Sequence, residues 1–251
     1  MGFGSKKMTH ADGGMHHLGT KANDVAPVMI LTAGMEQVAD IAAMLEQPRQ
    51  TGLYREYLTM LGSFRGKNVG VMSCGHGCMP MAIAVEELNH LGVGTIIKVG
   101  TGAALQKGIE PGTLIVPTAA VRGEGASLEY VPYEYPALAN HELVGSLMKQ
   151  ASIALQPALA GICRSHDAFY AEYPPAGSTQ QGIEHWRKLG VLLLEHELSS
   201  MFVVSSILGL RAAAVYTVEE NLIEGSSATP EQLKERLEIC YQLALETAFS
   251  L

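Results

Sequence analysis

The feature that most constrains the fold of this chain is an alternation between short apolar runs and segments with helical periodicity. Residues 28–33 and 68–73 read Val-Met-Ile-Leu-Thr-Ala and Asn-Val-Gly-Val-Met-Ser, runs that are typical of strands buried on both faces. Residues 36–47 and 81–92 place apolar side chains at helical spacing, and the second segment ends at a glycine. This alternation predicts an α/β fold with a central, largely parallel sheet covered on both faces.

The same patterns continue to the end of the chain. Further strands are predicted at 93–100, 112–121, 158–164 and 211–218, and further helices at 141–154, 183–190, 197–209 and 229–249. Residues 1–16 are rich in glycine, histidine and lysine and are predicted to form a flexible segment. Residues 17–251 are predicted to form a single domain, which suits a 251-residue chain that is 47% hydrophobic.

Charge and composition argue against several classes of function. A net charge of −8 argues against an extended nucleic-acid surface, because such surfaces are basic. No secretory signal and no apolar run long enough to span a membrane is visible, so we expect a cytoplasmic protein without a membrane partner. Cys74, His76 and Cys78 lie close together in the sequence, but no second ligand pair is nearby, and no metal site is predicted.

The segment 96–105 carries a charged residue, Lys98, near the end of a predicted apolar strand. It reads Ile-Ile-Lys-Val-Gly-Thr-Gly-Ala-Ala-Leu. Ligand sites in open α/β sheets lie beyond the carboxyl ends of the strands, and we interpret Gly-Thr-Gly as a tight turn there. Leu105 replaces the third glycine of a dinucleotide-binding fingerprint, and no helix fits before the next strand, which makes a dinucleotide site unlikely. Lys98 and Thr101 suit a small anion instead; the alternative is a plain turn with a lysine extended towards solvent.

Several segments resemble a known family when they are taken together and in order. They are His-His-Leu-Gly-Thr-Lys-Ala-Asn-Asp at 16–24, Tyr-Arg-Glu-Tyr at 54–57, Ala-Ile-Ala-Val-Glu-Glu-Leu at 82–88, Lys-Val-Gly-Thr-Gly-Ala-Ala-Leu at 98–105, the glycine- and tyrosine-rich block 121–137, Ser-His-Asp-Ala-Phe-Tyr at 165–170 and Leu-Glu-His-Glu-Leu-Ser-Ser at 194–200. Over roughly residues 16–221 the chain resembles the nucleoside phosphorylase family, and its uridine phosphorylase branch best.

That resemblance implies a fold, a reaction and an assembly. The fold is a three-layer α/β/α sandwich with a central mixed, largely parallel sheet. The reaction is phosphorolysis of a ribonucleoside to free base and ribose 1-phosphate, with inorganic phosphate as cosubstrate and no other cofactor. The assembly is a homo-oligomer built from dimers, either a homodimer or a hexamer, with shared active sites.

The resemblance also assigns roles to residues at matching positions. Phosphate binding is assigned to Gly34, Arg55, Lys98 and Thr101, and nucleoside binding to His17, Thr101, Gly102, Phe169, His196 and Glu197. His17 and Arg55 match residues that act in the site of a neighbouring subunit. Phe169 matches the phenylalanine that stacks on the base. Glu197 matches the glutamate that holds the ribose hydroxyls, the alternative being a carboxylate that caps the following helix.

Some positions depart from the family pattern. Lys98 and Gln37 stand where the family has arginines that contact phosphate, and His196 replaces a methionine and either lines the site or packs beside it. Tyr173 and Pro175 lie where a glutamine and an arginine would read uracil. We therefore expect weakened discrimination in favour of uracil, with an altered or broader base preference, because a lost hydrogen-bonding partner leaves a polar edge of the base unpaired.

Two carboxylates after the last predicted strand are the candidate catalytic acids. Glu219 or Glu220 would protonate the departing base, provided that one of them is buried enough to hold a proton. The alternative is a pair of solvated loop carboxylates.

Two other functions stay open at this point. Thr-Ala-Gly-Met-Glu-Gln-Val at 32–38 resembles the opening of the methylthioadenosine/S-adenosylhomocysteine nucleosidases, which use water in place of phosphate. Gln37, however, falls near their water-activating glutamate, and an amide cannot act as that base. The other alternative is a non-catalytic member of the family that keeps the fold.

Overall fold

The computed structural model describes residues 5–172 and 178–251, and within these it leaves out the side chains of 171–172 and 178–181. The predicted loss of the uracil-reading residues concerns Tyr173, Pro174 and Pro175, which lie outside the described residues. Within the described ranges, no helix is both long and apolar enough to cross a membrane.

Helices and strands alternate along most of the chain. The helices are α1 Met35–Ala42, α2 Cys78–His90, α3 Ala126–Tyr130, α4 His141–Ile153, α5 Ser178–Lys188, α6 Leu198–Leu208 and α7 Pro230–Ser250. The strands are β1 Val28–Thr32, β2 Glu46–Tyr54, β3 Tyr57–Phe64, β4 Lys67–Ser73, β5 Thr95–Ala104, β6 Leu114–Gly123, β7 Ala137–Leu138, β8 Ala158–His166, β9 Leu193–Glu195, β10 Arg211–Asn221 and β11 Ser226–Ser227.

These strands form one mixed sheet, part of which closes on itself. Strand β1 lies between β4 and β5 and is parallel to both, and β5 is parallel to β10. From β10 the sheet continues antiparallel to β6, then parallel through β8 to β9, and β9 pairs antiparallel with β5. The strands β5, β10, β6, β8 and β9 therefore form a closed ring at one side of the sheet.

Helices cover both faces of the sheet, as the α/β/α prediction requires. Met29 and Leu31 of β1 pack in one apolar cluster with residues of α2 and α6. Ile30, which lies between them, packs in a second cluster with residues of α1, α4 and α7. Because successive side chains of a strand point to opposite faces, this division places one helical layer on each side of β1. The predicted three-layer sandwich with a mixed sheet is confirmed.

The segment predicted as a helix at 36–47 is shorter than expected. The helix ends at Ala42, and 46–54 forms β2, which pairs antiparallel with β3. The sequence analysis missed this β2–β3 hairpin. Its first strand is mostly exposed and reads Glu-Gln-Pro-Arg-Gln-Thr-Gly-Leu-Tyr, so it lacks the apolar alternation that marks a half-buried strand.

The predicted Gly-Thr-Gly turn is wrong, because β5 runs through it as far as Ala104. A Cβ atom on Gly100 would lie 3.0 Å from the ring of Tyr216 on β10. On Gly102 it would lie 2.5 Å from the carbonyl oxygen of Leu194 on β9. Both glycines therefore allow the neighbouring strands of the ring to approach β5 closely, a use of glycine that a turn signal does not distinguish.

At the N-terminus, a bridge between Thr9 and Met15 closes a small loop, and Met15 is buried in the first apolar cluster. The division into a flexible segment at 1–16 and a domain at 17–251 stays a prediction.

Candidate active site

A cavity of about 600 Å³ opens beyond the carboxyl ends of β1, β5 and β10, beside the start of α6. Most of the predicted site residues contribute to its wall, namely Gly34, Lys98, Thr101, Gly102, Phe169, His196, Glu197, Glu219 and Glu220. The position agrees with the rule that parallel strands present ligand sites at their carboxyl ends. His17 and Arg55 do not contribute to this wall.

Lys98 lies on β5 between β1 and β10, and its side chain is only 1% exposed. Its Nζ donates to the carbonyl oxygen of Val99 at 3.1 Å and lies 4.0 Å from Oε2 of Glu197. The ammonium also lies 5.8 Å from the ring centroid of Tyr216. The lysine therefore ends in the cavity wall, beside a carboxylate, and does not extend into bulk solvent.

Glu197 precedes α6 and collects polar groups from several elements. Its Oε1 accepts from the backbone N–H of Gly77 at 3.3 Å, and its Oε2 accepts from the Tyr216 hydroxyl at 3.2 Å. Burial acts to raise the pKa of this carboxyl, but the charge of Lys98, the nearby His76 ring and the hydrogen bond from Gly77 outweigh it and lower the pKa to about 2. Glu197 is therefore a buried carboxylate that stays charged at neutral pH.

Glu195 is a second buried carboxyl, which the sequence analysis missed. Its Oε2 accepts from the backbone N–H groups of Glu197 and Leu198 at 2.7 and 2.8 Å, and Ser165 donates to its Oε1. Burial, followed by the charge of Glu197, raises the pKa of Glu195 to about 7. Glu195 thus holds the start of α6 in place, and that start carries Glu197 into the cavity.

The rings of His166, Phe169 and His196 line another part of the cavity. The His196 ring lies 4.9 Å from His166 and 5.2 Å from Phe169, centroid to centroid. Nδ1 of His196 lies 2.8 Å from the carbonyl oxygen of His166. A carbonyl only accepts, so Nδ1 carries the hydrogen of this contact. Burial, then the charges of His196 and Arg164, lowers the pKa of His166 to about 4.

The two candidate acids differ in exposure. Glu219 is exposed, and its Oε2 accepts from the hydroxyl of Thr101 at 2.9 Å. Glu220 is half-buried and follows an irregularity in the pairing of β10 with β5. The burial required of a proton donor is therefore met in part by Glu220 and not by Glu219, and the assignment of the catalytic acid stays a prediction.

His76 is a wall residue whose position the sequence did not reveal. It lies between Gly75 and Gly77, whose φ angles are +71° and +100°, in the turn that leads into α2. Its Nδ1 lies 3.7 Å from Oε1 of Glu197. The flanking Cys74 and Cys78 are buried thiols, and Cys74 donates to the carbonyl oxygen of Thr32 at 2.9 Å.

Comparison with known proteins assigns the family. The sequence profile of the Phosphorylase superfamily matches residues 27–250. This chain belongs to the Phosphorylase superfamily. A uridine phosphorylase of Thermococcus kodakarensis is 35% identical over 219 residues, which are 84% of this chain and 79% of that protein. A guanosine phosphorylase of Halorubrum lacusprofundi is 31% identical over 242 residues, which are 94% of this chain and 98% of that protein.

A solved structure supports the same family. A uridine phosphorylase of Vibrio fischeri superposes with a TM-score of 0.85 at 28% sequence identity, covering 97% of this chain and 100% of that chain. The described architecture is thus that of a phosphorylase-superfamily subunit.

Two predicted site residues, His17 and Arg55, lie away from the cavity of their own subunit. His17 pairs with Glu87 through Nδ1 and Oε1 at 3.0 Å, and its backbone N–H donates to the same carboxylate. Arg55 is exposed at the turn between β2 and β3, with its guanidinium 5.6 Å from the Tyr54 ring centroid. This placement is compatible with action in a neighbouring site and leaves that role a prediction.

Proposed function

We propose that this protein is a nucleoside phosphorylase, a pentosyltransferase that moves the ribosyl group of a ribonucleoside from its base to inorganic phosphate. The products are the free base and ribose 1-phosphate. The observation that carries the proposal is the buried pair of Lys98 and Glu197 in a cavity of the Phosphorylase superfamily fold. One of these groups suits an anion, and the other suits the hydroxyl groups of a sugar.

The chemistry follows from the charges that develop during ribosyl transfer. The ribosyl group passes through a cation-like transition state, and the enzyme must hold the attacking phosphate below the sugar and orient the sugar hydroxyls. Lys98 supplies a fixed charge for phosphate, and the Thr101 hydroxyl supplies a donor beside it. Glu197 accepts hydrogen bonds from ribose hydroxyls, because its low pKa keeps it ionised.

Water is a poorer acceptor for this site than phosphate. Gln37 lines the cavity and falls near the position of the water-activating glutamate of the nucleosidases in the sequence, and an amide does not abstract a proton from water. The similar proteins described above are phosphorylases, not hydrolases. The nucleosidase alternative is therefore not favoured, and neither is a non-catalytic role.

For the base, we propose a preference that is not restricted to uracil. A uridine phosphorylase and a guanosine phosphorylase are similarly distant from this chain, so overall similarity does not single out a pyrimidine. Phe169 is 48% exposed and offers a ring face on which any base can stack. Glu219 and Glu220 add acceptors to the same wall, which suits N–H groups of a purine better than the carbonyls of uracil.

We also propose a homo-oligomer built from dimers with shared active sites, because His17 and Arg55 lie outside the cavity of their own subunit. A cytoplasmic location, and the lack of nucleic-acid and membrane partners, stay predictions.

A product assay tests the proposed reaction. The purified protein is incubated with a panel of ribonucleosides, with and without inorganic phosphate, and the sugar product is identified. Ribose 1-phosphate that forms only with phosphate supports the proposal. Free ribose formed without phosphate would identify a nucleosidase, and no cleavage in either condition would identify a non-catalytic member. The Glu197→Gln variant serves as the control for a contaminating activity, since it should lose most of the cleavage.

A further inference from the structure

The cavity is acidic for a site that must bind phosphate. Among the described residues that line it, six are acidic, namely Glu36, Asp167, Glu195, Glu197, Glu219 and Glu220, and Lys98 is the one permanent cation. The raised pKa of Glu195 makes that group partly neutral at neutral pH, but the excess of negative charge remains. A phosphate dianion in such a wall needs further positive charge, because each uncompensated carboxylate repels it.

His76 is placed to supply that charge from the cavity mouth. Its side chain is 82% exposed, and its Nδ1 lies 3.7 Å from Oε1 of Glu197. The positive φ angles of Gly75 and Gly77 hold the turn in a shape that residues with side chains rarely adopt. The turn therefore presents the imidazole beside Glu197 and in the same wall as Lys98 and Gly34.

We propose that His76, as an imidazolium, is a second cationic group of this subunit, beside Lys98, that binds the phosphate cosubstrate in this cavity. An imidazolium donates from both ring nitrogens. Nδ1 would face Glu197, and Nε2, on the other side of the ring, would donate to a phosphate oxygen. The inference rests on the proposed function, since it names a binding residue for its cosubstrate.

The charged groups around His76 favour its protonated form. Glu197 faces it from the start of α6, Glu36 from α1 and Lys98 from β5. The interaction with Glu197 raises the pKa of His76, with a smaller contribution from Glu36; burial and the charge of Lys98 oppose it. Glu197 would thus have two functions, holding the ribose hydroxyls and keeping a phosphate-binding imidazole charged.

The test separates the KM for phosphate from the KM for nucleoside. His76→Gln keeps a hydrogen-bonding side chain without a charge, and His76→Arg makes the charge permanent. His141→Gln, on the exposed first turn of α4, is the matched control. In His76→Gln we expect the KM for phosphate to rise by about tenfold, the usual scale of a lost charge-assisted contact, with little change in the KM for nucleoside.

The pH dependence gives a second readout. The KM for phosphate of the native enzyme should increase as the pH rises and the imidazolium is lost, and this increase should shrink in His76→Arg. An unchanged phosphate KM in His76→Gln would overturn the inference while leaving phosphorolysis established by the native enzyme. A rise confined to the nucleoside KM would also overturn it, and would mean that His76 only orients Glu197. If the native enzyme cleaves without phosphate, the proposed function fails, and the inference fails with it.

Discussion

The ammonium of Lys98 lies 4.0 Å from the carboxylate of Glu197, and both side chains are buried in the wall of one cavity. Each charge compensates the other while the cavity contains no substrate, so neither is left alone in a low-dielectric environment. The same two groups suit the two halves of the proposed reaction, since a cation binds phosphate and a carboxylate binds sugar hydroxyls. In the proposed reaction, their proximity therefore places the attacking phosphate next to the ribose.

Removing the Lys98 cation should weaken phosphate binding more than nucleoside binding. In Lys98→Ala we expect the KM for phosphate to rise by about 10²-fold and the KM for nucleoside to rise less, because a buried point charge for the anion is lost. Initial rates at varied phosphate and fixed saturating nucleoside give the first value, and the reverse design gives the second. Lys149→Ala, an exposed lysine on α4, is the control. Equal increases of both constants would contradict the assignment.

Removing the carboxylate should give the opposite pattern. In Glu197→Gln we expect kcat/KM for the nucleoside to fall by about 10²- to 10³-fold, because the ribose hydroxyls lose a charged acceptor that acts in the transition state. The KM for phosphate should change much less, since Lys98 loses the carboxylate that competes with the anion while His76 loses the carboxylate that favours its charged form. A variant with native kcat/KM for nucleoside would show that Glu197 does not hold the ribose hydroxyls.

Shared sites can be tested by mixing two inactive subunits. Arg55→Ala and Lys98→Ala are expressed together with different affinity tags, and the hybrid oligomer is purified. If Arg55 acts in the site of its neighbour, each hybrid dimer contains one intact site and one doubly altered site, so activity should return. The two parent variants, purified separately, provide the baseline. A hybrid as inactive as its parents would show that Arg55 acts within its own subunit, and a fully active Arg55→Ala parent would show that it has no role in the site.

Base preference is expected to be altered or broader than that of a strict uridine phosphorylase. Uridine, thymidine, inosine, guanosine and adenosine are compared at equal concentration with saturating phosphate, and kcat/KM is measured for each. We expect at least one purine nucleoside to be cleaved within about tenfold of uridine, since one unpaired polar group costs ~1–3 kcal/mol. Strict uridine specificity would show that the pocket reads uracil through other residues.

The neutral His166 predicts a pH dependence of stability. Its pKa is about 4 in the folded protein and about 6.5 in an unfolded chain, so the unfolded state binds more protons between these values. The free energy of unfolding should therefore fall as the pH drops from about 6.5 towards 4, with a contribution from this residue on the order of 3 kcal/mol.

Glu195 changes the free energy of unfolding with pH in the opposite direction to His166, over an overlapping pH range. Its pKa of about 7 lies above that of an unfolded glutamate, so its contribution to stability is lost as the pH rises through 7.

The His166→Phe variant separates the contribution of His166 from that of Glu195. It keeps an aromatic ring beside His196 and removes the titrating group. The difference between variant and native protein in the slope of unfolding free energy against pH is therefore due to His166. If urea unfolding gives the same dependence of unfolding free energy on pH for both proteins, His166 is not a buried neutral group.

Elements with a local signal were predicted well. The apolar runs at 28–33 and 68–73 became β1 and β4, and the amphipathic segment at 229–249 became α7. Burial of a strand or of one helix face selects apolar residues at a short, regular spacing, which a sequence shows directly. The β2–β3 hairpin left no such signal because β2 is mostly exposed.

The strand through Gly100 and Gly102 was misread for a related reason. Glycine marks both a turn and a close approach of backbones, and the sequence does not tell the two apart. The tertiary structure distinguishes the two uses of glycine. In the closed ring of strands, Tyr216 and Leu194 occupy the space where side chains at positions 100 and 102 would otherwise lie.

By itself, then, the sequence determined the layered architecture, the family and the presence of a cation and a carboxylate near strand ends. Tertiary structure decided which charges meet. Lys98 and Glu197 are far apart in the chain and come together because β5 and the start of α6 border the same cavity. His76 reaches Glu197 because the turn before α2 lies beside that start. Contacts between distant segments depend on the packing of whole elements, and they leave no periodic pattern along the chain from which they could be predicted.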